Sequence, residues 1–208
     1  MFETPDFSHL RDKEFSEVYE PAEDSFLFLN SLEDEFDYLA KIKPTIVLEI
    51  GCGSGIISTF VKRLFPFSFC ICTDINSSAS KAAVISAARN LVDLNAASPL
   101  EDRLSGKVDL LLFNPPYVVT PDEEVGGRNI SAAWAGGEKG RRIIDKVLPH
   151  VPNMLSPLGV FYMVVIKENN IDEIEEKMRI FNMKMTCVRS TRTGPEFLSV
   201  LKFTFDRS

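Results

Sequence analysis

Asn114-Pro115-Pro116-Tyr117, which closes the apolar run at residues 107–113, is where the side chains of this sequence come closest to declaring a chemistry. The two prolines remove two backbone donors and fix the local carbonyls. The Asn114 side-chain oxygen and the Pro115 carbonyl can then both accept from one NH2 group. An amide or aromatic amine nitrogen is a poor nucleophile because its lone pair is delocalised. Paired acceptors would orient it, offset developing positive charge and align it with an electrophile. Tyr117 can stack on the planar group. The bland reading is a Pro-Pro turn that ends a strand.

A second cluster lies upstream. Gly51-Cys52-Gly53-Ser54-Gly55 separates an apolar run from a helical pattern, and glycine there lets a ligand approach where a Cβ would collide. Position 56 is isoleucine, so the third glycine of the dinucleotide fingerprint is missing. A nucleotide-like cofactor fits this turn, and so does a simple tight strand–helix connection. Asp74 ends the next strand-like run, where a carboxylate can accept both hydroxyls of an adenosine ribose. A lone aspartate at that place also serves as a helix cap. Glu49 sits inside the apolar run 45–50, and a carboxylate there must be hydrogen-bonded or paired, in a site or in a structural salt bridge.

The elements that position these residues follow from periodicity. Residues 23–41 carry Phe26, Leu29, Phe36 and Leu39 on one helical face, and Pro44 stops that helix. Residues 45–50 and 107–113 are short continuous apolar runs, the pattern of strands buried on both faces. Residues 56–64, 77–90, 140–154 and 172–181 read as helices, and residues 67–73, 160–166, 184–190 and 196–205 as strands. The last two strands are joined by Thr193-Gly194-Pro195, a turn, so the final strand should run antiparallel. The expected fold is α/β: one doubly wound, mostly parallel sheet with an antiparallel last strand and ligands at the strand C-termini. Residues 1–18 read as a mostly polar lead-in and residues 19–208 as the single domain.

With 208 residues, 45% hydrophobic and 25% charged, the chain suits one globular domain rather than two. No apolar run approaches the roughly 18 residues of a membrane span. The first twenty residues lack the basic and apolar blocks of a secretion signal. Four cysteines without a CxxC pair fit a reducing compartment, so the expected location is the cytoplasm, with the nucleus also open. Two widely separated histidines, His9 and His150, argue against a metal site. The net charge of −7 disfavours a nucleic-acid substrate, because backbone binding needs a basic face.

These motifs carry a resemblance. NPPY after a GxGxG turn resembles the methyltransferases that act on planar nitrogens. More narrowly, Tyr19-Glu20-Pro21-Ala22-Glu23-Asp24-Ser25, the run 114–120, Ala133-Trp134-Ala135-Gly136-Gly137 and Ile166-Lys167-Glu168-Asn169-Asn170 resemble the eukaryotic glutamine methyltransferases of peptide-release factors. The match runs from about residue 15 to residue 205. It implies a Rossmann-like domain that uses S-adenosylmethionine and methylates the glutamine of a Gly-Gly-Gln loop in a class I release factor, as a heterodimer with a small zinc-binding activator. It further implies that Ser25, Glu49, Gly51 and Asp74 contact the cofactor. Asn114 would lie between cofactor and substrate, and Pro115, Pro116 and Tyr117 would frame the amide.

One departure stands out. Family members carry a further strand and then an acidic-Leu pair against the adenine, whereas only Leu91-Val92 separate Asn90 from Asp93-Leu94 here. Asp93 and Leu94 are therefore the expected adenine contacts, behind a vestigial strand that leaves residues 67–73 near the sheet edge. Two rival functions are an adenine-amine methyltransferase acting on nucleic acid and an inactive cofactor-binding partner subunit. The first lacks a domain that could extrude a base, and the intact NPPY speaks against the second. Arg141 and Arg142 read by default as the start of a surface helix, and Trp134 as an entrance wall or a loop anchor.

Overall fold

The strand Ile46–Ile50 (β1) forms because Ile46, Val47 and Leu48 can be buried on both faces of a sheet, and it is flanked in register by two parallel neighbours. Phe69–Thr73 (β2) lies on one side, with Ile50 opposite Thr73. Val108–Phe113 (β4) lies on the other, with Ile50 opposite Phe113. Three strands thus end level, and the next residues, Gly51, Asp74 and Asn114, emerge side by side. The computed structural model describes residues 2–96, 101–126 and 130–207.

The remaining strands are Asn95–Ala96 (β3), Leu155–Ile166 (β5), Met183–Thr193 (β6) and Glu196–Phe205 (β7), giving the order β3-β2-β1-β4-β5-β7-β6. β7 runs antiparallel to both neighbours, as the Thr193-Gly194-Pro195 turn requires. The chain reverses direction across the sheet between β1 and β4, and an open α/β sheet binds its ligand at such a switch point. The helices are Glu23–Asp34 (α1), Phe36–Ile42 (α2), Ile56–Leu64 (α3), Ser77–Arg89 (α4), Glu101–Leu104 (α5), Ile144–Val147 (α6), Val151–Met154 (α7) and Ile171–Ile180 (α8). No helix among the described residues is long and apolar enough to cross a membrane.

Several expectations need refinement. The helix expected over 23–41 breaks at Glu35, whose carboxylate accepts from Tyr162 Oη at 2.8 Å and Lys202 Nζ at 2.5 Å. The helix expected over 140–154 is a series of short turns, because Pro149 and Pro152 each lack the N–H that a continuous helix needs. The lead-in is folded: Leu10, Phe15 and Val18 pack on Ala79 and Ala82 of α4, and His9 Nε2 lies 3.1 Å from the Ala82 carbonyl oxygen.

The edge strand is as short as expected but lies elsewhere. β3 follows Asp93-Leu94 instead of preceding it, and pairs Asn95 with Ile71 and Ala96 with Cys72. Leu91 takes a left-handed φ of 57° and the Val92 amide donates back to the Ala87 carbonyl at 3.0 Å. That cap of α4 uses up the residues in which an upstream strand would have formed. Phe69 and Cys70 keep a strand partner on the β1 side alone among the described residues.

Gly55 joins α3 to the site. Its φ is 76°, and a Cβ there would stand 2.5 Å from Ala83 Cα on α4. Gly55→Ala is expected to cost about 2 kcal/mol through strain and overpacking. Thermal unfolding checks this, and an unchanged Tm would mean that the two helices can part freely.

Candidate active site

The three level strand ends open into a cavity of about 910 Å³, lined among others by Ser25, Glu49, Gly51, Asp74, Asn114 and Pro116. Gly51 and Gly53 have φ of 67° and 49°, and a Cβ on either would meet no atom within 4 Å. Their role is therefore backbone conformation and open space, whereas Gly55 serves helix packing. Asp74 ties the glycine turn to β2: its carboxylate accepts from Gly53 N and Asn76 N, each at 2.8 Å. Burial pushes the Asp74 carboxyl above its ordinary range, while these backbone donors pull it back. Glu49 is 1% exposed and accepts from Ser58 N at 2.9 Å and from Ser58 Oγ. Burial raises its carboxyl well above the usual value, against the pull of Ser58.

Asn114 stands at the β4 end of the cavity. Its Nδ2 donates to Asp24 Oδ2 at 2.9 Å, and its Oδ1 is buried without a hydrogen-bond partner. Because Asp24 Oδ2 accepts from Nδ2, this hydrogen bond fixes which end of the Asn114 amide faces Asp24. The oxygen is left presented as an acceptor. A buried carbonyl oxygen without a donor costs about 1–3 kcal/mol, and a ligand NH2 would recover that cost.

Asp24 is the site residue that sequence reasoning missed. It is 4% exposed, in the first turn of α1, and it also accepts from Ser25 N at 2.7 Å and Tyr19 Oη at 3.4 Å. Tyr117 is buried beside it, and burial followed by the Asp24 charge raises the hydroxyl pKa of both Tyr117 and Tyr19. The signal was present in the run 19–25. An acid in a first helical turn, however, is already explained by the positive end of the helix dipole.

The structure does not bring every expected residue to the cavity. Pro115 and Tyr117 are buried behind its wall. Asp93 is exposed, and Leu94 packs against Cys52, Cys72 and Ala83, so neither of this pair borders the cavity. The displaced β3 is the reason. Arg141 is buried at 3% exposure and bridges Asp145 and Glu173, and Arg142 pairs with Asp122. Both arginines are held in ion pairs within the chain. Trp134 is half-buried, and its carbonyl accepts from Val118 N at 2.9 Å, which anchors the loop beside NPPY.

A doubly wound sheet whose first strand ends in a glycine turn, and whose fourth ends in an amide acceptor, has the architecture of S-adenosylmethionine-dependent methyltransferases, and this protein is an enzyme of that class. The methyltransferase small domain model matches residues 23–192, and the chain belongs to that family. It is 47% identical to human Methyltransferase HEMK2 over 98% of this chain and 97% of the relative. It is 36% identical to the eRF1 methyltransferase catalytic subunit mtq2 of Schizosaccharomyces pombe over 97% and 95%. Among solved structures, the E. cuniculi Mtq2–Trm112 complex, described as responsible for methylating the eRF1 termination factor, matches with a TM-score of 0.68. Identity there is 24%, covering 91% of this chain and 99% of the other.

Proposed function

We propose that this enzyme methylates the side-chain amide nitrogen of the glutamine in the Gly-Gly-Gln loop of a class I peptide-release factor. The observation that carries the reading is the buried, partnerless Asn114 Oδ1, on an amide oriented by Asp24. A glutamine NH2 offers two donors in one plane, which matches this oxygen and a neighbouring proline carbonyl. Bound S-adenosylmethionine supplies an electrophilic methyl group on a sulfonium sulfur. Gly51 and Gly53 clear space for it, Asp74 retains a lone pair for a ribose hydroxyl, and Glu49 and Ser25 lie where its amino-acid end can be held. Asn114 then orients the amide nitrogen and offsets the positive charge that grows on it during transfer.

Asp74→Ala should weaken S-adenosylmethionine binding by on the order of 1–3 kcal/mol, both by removing a ribose acceptor and by freeing the Gly53 amide. Calorimetry measures this, and unchanged affinity would reduce Asp74 to a turn residue.

A small partner subunit fits the same reading. One relative is named as a catalytic subunit, and the solved neighbour is an Mtq2–Trm112 complex. In this chain Phe67 is 101% and Phe69 53% exposed beside the half-paired edge of β2. The partner we propose is a zinc-binding activator that covers this edge, in the cytoplasm. Transfer of labelled methyl groups to purified release factor, with and without the co-expressed activator, tests the function. Incorporation that vanishes when the substrate glutamine becomes alanine is expected. Incorporation that survives this change would remove the glutamine from the account.

A further inference from the structure

Asn169 closes a set of contacts that the chemistry above leaves unused. It ends the short 3-10 turn Lys167–Asn169 after β5, and its side chain is fully buried. Oδ1 accepts from Ile166 N at 2.8 Å, which orients the amide. Nδ2 then donates to the Tyr117 carbonyl at 2.8 Å and to the Lys139 carbonyl at 2.9 Å. The Asn169 carbonyl in turn accepts from the buried Arg141 at 3.3 Å, which ties the turn to Glu173 on α8 and Asp145 on α6.

Gly140 packs against the Tyr117 carbonyl oxygen and Asn169 Nδ2 together. Gly140 has a φ of 67°, and a Cβ there would overlap the Tyr117 oxygen. Gly136 leaves room for the Pro116 carbonyl, 2.6 Å from where its own Cβ would stand. Lys139 itself adopts φ 56°, an uncommon conformation for a residue with a side chain. Such local strain, of order 1 kcal/mol or more, persists where surrounding contacts over-determine it. Here the Asn169 hydrogen bond to its carbonyl is one of those contacts.

The geometry points to Asn169 as the positioning residue that fixes the main chain of Asn114-Pro115-Pro116-Tyr117, so that the acceptors for the substrate NH2 hold a set direction. The prolines remove donors at the start of the motif, and Asn169 supplies the missing donor at its end. Displacements of about 1 Å in a reacting array can cost on the order of 100-fold in rate. Asn169 does not line the cavity, so its effect falls on kcat and leaves cofactor binding intact. This inference rests on reading the motif as an amide cradle.

Two variants perturb the contact between Asn169 and the Tyr117 carbonyl, one from each residue that packs on it. Asn169→Asp keeps the acceptor for Ile166 N but turns an oxygen toward the Tyr117 and Lys139 carbonyls. Gly140→Ala pushes a methyl group into the same oxygen. Tyr162→Phe, which loses its bond to Glu35 away from the cavity, serves as the control for simple destabilisation. With release factor as substrate, both site variants should lose kcat by on the order of 10–100-fold while S-adenosylmethionine affinity stays at the wild-type level. The Asn114 side-chain NH2 resonances of the cofactor-bound protein should shift in both variants and not in Tyr162→Phe. Parallel loss of kcat and cofactor stoichiometry, matching the control, would overturn the inference. If wild-type enzyme leaves the glutamine unmethylated, the substrate reading falls, and the resonances still decide: unmoved Asn114 signals in both site variants reject a positioning role.

Discussion

Asn114→Ala will abolish methyl transfer to the release-factor glutamine while changing S-adenosylmethionine affinity by no more than about tenfold, or 1.4 kcal/mol. The substitution removes a buried acceptor that has no partner of its own, and it leaves Glu49, Gly51 and Asp74 in place. The two effects separate because the acceptor matters most when positive charge develops on the amide nitrogen, and the cofactor is bound before that moment. Single-turnover transfer and calorimetry on the same preparation check it. Turnover that survives would strip Asn114 of its role.

Asp24→Asn will cost about 100-fold in kcat, the scale expected when one preorganised polar contact is lost. The change is isosteric, so the folded protein should persist. Its effect is on direction: an amide at position 24 can donate as well as accept, and Asn114 is then free to turn its NH2 toward the substrate NH2. Two donors would face each other across the cradle. Tyr19→Phe removes a longer contact to the same carboxylate, 3.4 Å, and should cost less than Asp24→Asn. Steady-state kinetics on the two variants give the order, and equal rates for Asp24→Asn and wild type would show that Asp24 does not set the Asn114 orientation.

Much of this arrangement was legible in the sequence because the signals were local. The expected helix over 56–64 and the expected strand over 196–205 match α3 and β7 residue for residue, since continuous apolar or alternating runs bounded by glycine leave little freedom. The glycine turn and NPPY each follow a buried strand, and parallel pairing in register carries their neighbours to one line. What sequence could not give was the partner of a side chain. Asp24 and Asn114 lie 90 positions apart, and nothing in either local pattern links them. Arg141 read as a surface residue because its acceptors, Asp145 and Glu173, come together only when α8 packs on α6. The place of β3 escaped for another reason: a left-handed Leu91 decided it, and that conformation is rare for leucine.

The most direct measurement offers the enzyme, with the proposed partner subunit, a class I release factor, duplex DNA and a histone in one reaction with deuterated methyl donor, and locates the label by mass spectrometry. The account predicts one labelled methyl group on the side-chain nitrogen of the Gly-Gly-Gln glutamine, none when Asn114 is alanine, and none on the competitors. Label on adenine or lysine, with the glutamine unmodified, would contradict it.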